Sequence, residues 1–294
     1  MDQKRIIDEF KELVSIEVHS RDERAIADVL KEKLTALGLT VTEDKAGEVL
    51  GGNTGNLYAQ LPGSADGEPV LFSAHMDRVG NHGHIVPLVK EEEGKIVSDG
   101  TSILAGDDIG GVAAILAMLR EVKEKQIPHG PIEVAFSVCE ETGVEGSRQY
   151  DFSNFRSKSA FVYDASGKAG TIVLAAPSKG RVTIRVHGVT AHAGNEPEKG
   201  LNALKVAADL IMQLPDGRRS PVSTANFSII EAGSATNVVC DLVTITGEQR
   251  SRDAKEYQQI SADIQAAADR ISEKYHTKIE VELHTLYHAF KLEE

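Results

Sequence analysis

The sequence predicts an α/β protein of two domains, and three observations carry that prediction. Its 294 residues are about twice the ~150 of an ordinary domain. Between Pro69 and Val138 an apolar run, an amphipathic stretch and a second apolar run follow one another, the order of a crossover unit with a parallel sheet. After Pro177 the order becomes strand, helix, strand, strand, helix, strand, the split βαββαβ layout of a ferredoxin-like sandwich.

Each element follows from its own pattern. Ile6, Ile7, Phe10, Leu13 and Val14, then Ile26, Val29, Leu30, Leu34 and Leu37, recur at helical spacing, with Ser20 and Arg21 marking the break between two helices. Buried strands are expected at Asn56 to Leu61, Pro69 to Ala74, Ile132 to Val138 and Ala160 to Tyr163. Val112, Ile115, Leu116, Leu119 and Val122 draw the apolar face of a helix over Gly110 to Lys125. In the second domain, strands are expected at Arg181 to Val186, Asn226 to Ile230, Asp241 to Gly247 and Lys278 to Leu286. Helices are expected at Leu201 to Leu214 and Ala254 to Tyr275.

Composition narrows the function classes. With 41% hydrophobic and 26% charged residues, the chain can bury a sizeable core and lies far from disordered compositions. A net charge of −13 opposes tracking of a phosphate backbone or an anionic membrane surface. The absence of Trp and an aromatic share of 5% leave little to stack on single-stranded bases. Neither nucleic acid nor membrane is an expected partner. Two cysteines, Cys139 and Cys240, cannot make a disulfide framework and read as small buried hydrophobes. The charged N-terminus lacks a signal-peptide core, and no run approaches a membrane span of ~20 residues, so a cytoplasmic protein is expected.

The chemistry concentrates at the ends of apolar runs. His75 and Asp77 follow VLFSA, Asp107 and Asp108 precede GGVAAIL, Glu140 and Glu141 follow IEVAFSVC, and Asp164 follows FVY. Singly, each reads equally as a solvated strand end. Together they fall where the carboxyl ends of parallel strands line a ligand crevice. Carboxylates crowd only at a cost unless a cation neutralises them, and an oxygen and imidazole set without cysteine suits Zn, Mn or Co. Side chains two apart on a strand share a face, so His75 can ligate while Asp77 fixes its other ring nitrogen. Neighbouring side chains diverge, so Glu140 and Glu141 can divide the work, one reaching the metal and the other serving as general base. Asp107 falls where a helix begins, which favours its ionised form. His82 and His84 in NHGH read as a loop.

The segments SAHMDRV, SDGTSILAGDDIGGVAAIL, VCEETGVEGSRQYD, VYDASG, GVTAHAGNEPEKGLNAL and SATNVVCD resemble those of peptidase T-like aminotripeptidases. These are dizinc exopeptidases related to carboxypeptidase G, acetylornithine deacetylase and succinyl-diaminopimelate desuccinylase. The resemblance runs from about Ile6 to the last residue and implies a zinc-exopeptidase-like catalytic domain with a mostly parallel sheet and an inserted ferredoxin-like lid and dimerisation domain. The expected division is 1–177 catalytic, 178–286 lid, and 287–294 the start of a return to the catalytic domain.

By the same resemblance His75, Asp107 and Asp164 hold one zinc, Asp107 bridges to a second held also by Glu141, Glu140 is the base, and Asp77 stands behind His75. From the lid, His192 stabilises the tetrahedral oxyanion, often across a dimer, and Asn237 and Arg250 hold the substrate's carboxylate end. His192 also reads as an exposed loop histidine, and Arg250 as an edge-strand charge. The implied activity is release of the N-terminal residue from tripeptides or other short peptides by a homodimer with two zinc ions per protomer.

Family members continue past the segment matching TLYHAFKLEE and supply there the last zinc-binding His. The second site is therefore expected to be incomplete in this chain, with His288 as one substitute. Ile109 stands where a Lys is common in relatives, and Ser166 where an acid is common. Two other readings remain open: an N-deacylase of acylated amino acids with the same metal centre, and an impaired, truncated remnant that acts as a dimerising module.

Overall fold

The computed structural model describes residues 2–80, 83–168 and 170–292. The chain divides into two compact units, Met1–Thr171 and Ile172–Glu294. No helix among the described residues is long and apolar enough to cross a membrane.

In the first unit, Asp2 caps α1 (Gln3–Val14) by accepting the Arg5 N–H, and α2 (Arg24–Ala36) follows after the break at Ser20 and Arg21. The central sheet contains β1 (Thr40–Glu43), β2 (Leu57–Leu61), β3 (Val70–His75), β6 (Ile132–Ser137) and β7 (Ser159–Val162), in the order β1-β2-β6-β3-β7. Only β2 runs against the other four strands. The short α3 (Ala46–Leu50) lies between β1 and β2. The predicted crossover is present: β3 leads through α4 (Gly106–Glu124) to β6, and the two strands pair in parallel. Every residue of β6 is buried, as expected of a central strand covered on both faces. Leu13, Ile26, Leu30, Leu34, Val112, Ile115 and Leu116, all buried, join Phe136 in one core.

β7 lies at the sheet's edge, and all four of its residues are exposed. β1 and the hairpin of β4 (Pro87–Lys90) and β5 (Lys95–Ser98) are additions to the sequence reading. Their four-residue, half-exposed strands carry too short an alternation to stand out.

The second unit has the βαββαβ order in full. β9 (Ser178–His187), α5 (Ala203–Ile211), β11 (Ser223–Ala232), β12 (Leu242–Ser251), α6 (Ala254–Tyr275) and β13 (Ile279–Tyr287) follow in sequence, with β10 (Gly217–Ser220) as an added edge. The sheet order is β10-β11-β12-β9-β13, antiparallel throughout. β8 (Ala175–Ala176) and β14 (Phe290–Lys291) form a separate two-residue pair.

Local signals explain the helix boundaries. The Asn202 side chain accepts the Leu204 N–H to cap α5, and Asp253 accepts from Lys255 and Glu256 to start α6 at the predicted residue. Val182, Ile184 and Val186 alternate inward from β9 onto Val206, Leu210, Ile260 and Ile264. Both cysteines are free and buried.

Candidate active site

Strands β3, β6 and β7 run in parallel, so their carboxyl ends open on one edge of the sheet. His75 is the last residue of β3, and Glu140 and Glu141 lie in the turn after β6. Asp164 follows β7, and Asp107 precedes the regular part of α4. Ligand atoms of His75, Asp107 and Glu141 all lie within 4.8 Å of one another, and so do those of His75, Glu140 and Asp164. The five residues that the sequence reading assigned to metal or base chemistry therefore meet. Both groups share His75, and Asp107 and Asp164 also lie within side-chain hydrogen-bond reach of each other.

The histidine is held from behind. Its Nδ1 lies 3.0 Å from the Asp77 carbonyl oxygen and 3.4 Å from the Asp77 carboxylate, both acceptors. This places the ring proton there and turns Nε2 toward Asp107, 3.1 Å away. Asp77, itself fully buried, is tied down on both oxygens: the Glu140 N–H donates to one at 2.9 Å, and the Glu141 N–H (3.1 Å) and Ser20 hydroxyl (2.6 Å) to the other. A single carboxylate thus orients the imidazole and the two following glutamates together. Burial alone would raise Asp77; the hydrogen bonds from His75, Ser20 and Glu140 hold its carboxyl below the usual range.

Asp108 does different work from its neighbour. It is buried and accepts the backbone N–H groups of His75 (3.2 Å) and Gly111 (3.2 Å), tying the end of β3 to the start of α4. A Cβ at Gly111 would stand 2.3 Å from the Asp108 carboxylate, so the approach requires glycine. Asp107 and Asp108 have non-helical backbones joined by a cis peptide. Asp107 sits immediately ahead of the regular part of α4. Its side chain is 70% exposed.

Charge is crowded here. Burial pushes Glu140 up to about 7 and Asp108 to about 8, with His75 opposing and Asp164 adding to the rise in both cases. Burial also raises Glu141 and Asp164, and Asp107 adds to each. Burial disfavours the His75 cation, but the hydrogen bond and charge of Asp77, with Asp108 and Glu140 beyond, outweigh it and lift the ring to about 10. One imidazolium among this many carboxyls leaves negative charge uncompensated. An oxygen-rich set with one imidazole and no thiolate in reach fits a hard or borderline divalent cation.

The Glu140 turn is tightly wound. Cys139 and Val144 have φ of 51° and 54°, conformations that cost of order 1–3 kcal/mol each for such residues. Glu145 N–H closes back on the Cys139 carbonyl. Gly146 passes so close beneath that a Cβ would lie 1.8 Å from the Val138 carbonyl oxygen.

The candidates in the second unit separate. His192 is exposed and forms a bridge with Val238, and its Nδ1 accepts the N–H groups of Gly194 and Asn195, both at 3.1 Å. The Ala193 N–H donates to the Asn237 carbonyl, so His192 and Asn237 are neighbours. Arg250 lies eight residues along β12 from Leu242, roughly 27 Å at the usual strand rise. Its guanidinium takes both oxygens of Glu248, at 2.7 and 3.2 Å. His288 is exposed in the second unit and belongs to neither ligand group. His84 is exposed, and His82 lies outside the described residues.

Comparisons with known proteins place the chain in a family. Residues 177–276 match the peptidase dimerisation domain model, and residues 56–195 match the peptidase family M28 model. Over its full length the chain is 36% identical to the uncharacterised protein YqjE of Bacillus subtilis and covers 79% of it. It superposes on an aminopeptidase PepT structure from Bacillus cereus with a TM-score of 0.87 at 39% identity, covering all of this chain and 79% of that one. A Staphylococcus aureus tripeptidase gives 0.93 at 33% identity, with 100% and 78% covered. The chain belongs to the peptidase T-like family of metallopeptidases.

The match extends to peptidase T of Staphylococcus carnosus, at 28% identity over 80% of this chain and 57% of that protein's length. For the peptidase T-like fold, the mostly parallel sheet with a separate antiparallel dimerisation domain is as the sequence predicted. Family membership implies a metal cofactor, and the donor set accommodates one. Ser20, Asp108 and Glu23 are contributors the sequence reading left without a role; the pairing of Asp108 with Asp107 was the one visible signal.

Proposed function

We propose that this protein is a zinc-dependent aminopeptidase that releases the N-terminal residue from tripeptides and other short peptides. The observation that carries the reading is the convergence of His75, Asp107, Glu140, Glu141 and Asp164 at one sheet edge in a peptidase T-like chain. His75, Asp107, Asp164 and Glu141 would hold the metal, with Asp107 shared if a second ion binds. Zinc bound there would supply Lewis acidity, polarising the scissile carbonyl and making a water nucleophilic near neutral pH.

The chain's own groups account for the rest. Glu140 accepts the proton of the attacking water and passes it to the leaving amine. Asp77, locked by Ser20 and two backbone N–H groups, keeps the His75 tautomer that presents Nε2. His192, whose Nδ1 accepts two backbone N–H groups, keeps a proton on Nε2 for a developing oxyanion. Arg250 would receive the substrate carboxylate in its planar fork, exchanging Glu248 for it. A homodimer is part of the proposal and suits the dimerisation-domain match. Two buried free thiols suit a reducing compartment, and a cytoplasmic location is part of the proposal.

The test is incubation with free tripeptides and with N-acylated amino acids before and after chelation. Release of the N-terminal residue, lost on chelation and restored by zinc, is expected. Cleavage of acylated amino acids alone would replace this reading with an N-deacylase, and a dimer without hydrolysis would leave the module reading. Both ligand groups draw on His75, so one firmly held metal per protomer is expected after dialysis. Two retained equivalents, measured by elemental analysis, would overturn that count.

A further inference from the structure

The turn between α1 and α2 reaches the candidate active site at three points. Ser20 donates its hydroxyl to Asp77 at 2.6 Å. Arg21, with φ of 77°, pairs with Glu145 at 2.9 Å. Glu23, fully buried, accepts the backbone N–H of Cys139 at 2.9 Å. Glu23 occupies the N-cap position of α2, yet its side chain makes no cap hydrogen bond to that helix; it is turned inward onto the residue before Glu140. Cys139 needs that partner. Cys139 lies two residues beyond the end of β6, so its N–H has no partner in the sheet ladder, and in a buried setting an unpaired amide is costly.

We propose that Glu23 is a positioning residue for the general base: by holding the Cys139 amide it fixes the direction in which Glu140 leaves the end of β6, while Ser20 and Arg21 brace the same turn through Asp77 and Glu145. The three contacts clamp residues 139–145 from one side, and the turn's own bonds, Gly143 and Val144 N–H to the Glu140 carbonyl, close it from the other. The inference rests on the peptidase reading for its kinetic consequence but not for its structural one.

Two variants separate the acceptor from the volume it fills. Glu23→Met keeps the side chain's bulk and removes the acceptor; Glu23→Gln keeps an oxygen in place. Hydrogen exchange of the backbone amides of 139–145, read by mass spectrometry on the full chain, should quicken at least tenfold in Glu23→Met and stay near wild type in Glu23→Gln. With a tripeptide substrate, Glu23→Met should lower kcat about 10²-fold with KM within threefold, and Glu23→Gln should restore kcat.

Equal exchange in the two variants and wild type overturns the proposal whatever the activity. Faster exchange with unchanged kcat overturns the catalytic consequence, and a matched rise in KM shows a general loosening of the site instead. A wild-type chain that hydrolyses no peptide, yet shows the expected exchange pattern, refutes the peptidase reading and leaves the clamp standing.

Discussion

The two units solve opposite problems. The second is regular: three ten-residue strands, two capped helices and, among the described residues, no buried ionisable group other than the Cys240 thiol. The first buries His75, Asp77, Arg78, Asp108, Glu23 and Glu133. It also contains five of the six described non-glycine residues with positive φ. Arg78 is held by the backbone carbonyls of Val18, Val14 and Gly83. Regularity can be specified locally, by alternation and caps. A site that gathers charge at a sheet edge needs partners from distant parts of the chain, and it accepts local strain to receive them.

That contrast can be broken most directly at its chemical end. Glu140→Gln should lower the hydrolysis rate of a tripeptide roughly 10³-fold while leaving the far-UV spectrum and metal content unchanged; a smaller loss moves the base role elsewhere. In the regular unit, Leu210→Ala empties a fully buried site and should cost about 3 kcal/mol in denaturant unfolding. Retained metal in that variant would show that the two units keep separate accounts, and loss of metal would show that they do not.

His192→Ala sharpens the comparison from the second unit. The residue is exposed, so stability should stay within about 0.5 kcal/mol, whereas kcat should fall about 10²-fold if it meets the oxyanion. A tripeptide assay beside a thermal melt decides it. The smallest effect is expected at Glu43. Hydrogen bonds from Arg24, chiefly, with Gly55, Lys31 and Thr54 adding, hold its carboxyl at about 2 against an ordinary 4.5. The folded value lies below the unfolded one, so this stabilisation is complete above about pH 4.5 and disappears as pH falls toward 2. Glu43→Gln should cost about 2 kcal/mol at neutral pH and flatten the acid limb of the unfolding curve. An unchanged acid limb would remove Glu43 from the account.

What could be read from the sequence follows the same division. The strand ends bearing His75, Glu140, Glu141 and Asp164 were visible because an apolar run followed by an acid is a local pattern. The βαββαβ order was visible because each strand and helix there is long. The helix over Ala254 to Tyr275 was placed to the residue, since Asp253 is a strong cap. Ser20 and Glu23 were not visible as parts of the site: their bonds to Asp77 and Cys139 span 57 and 116 residues, and no periodicity encodes such a distance. Arg250 was legible as a cation but not as the partner of Glu248, two residues before it on the same strand face.

The exposed β7 has a consequence for strand pairing. Phe161 and Val162 are 53% and 64% exposed on a strand whose outer edge pairs with nothing among the described residues, while Arg156, Lys158 and Asp164 place charge on either side of it, of the kind that deters strand addition. A row of free amides and carbonyls beside two large apolar side chains is a template for intermolecular β-pairing. A charge substituted at Val162 should weaken such pairing.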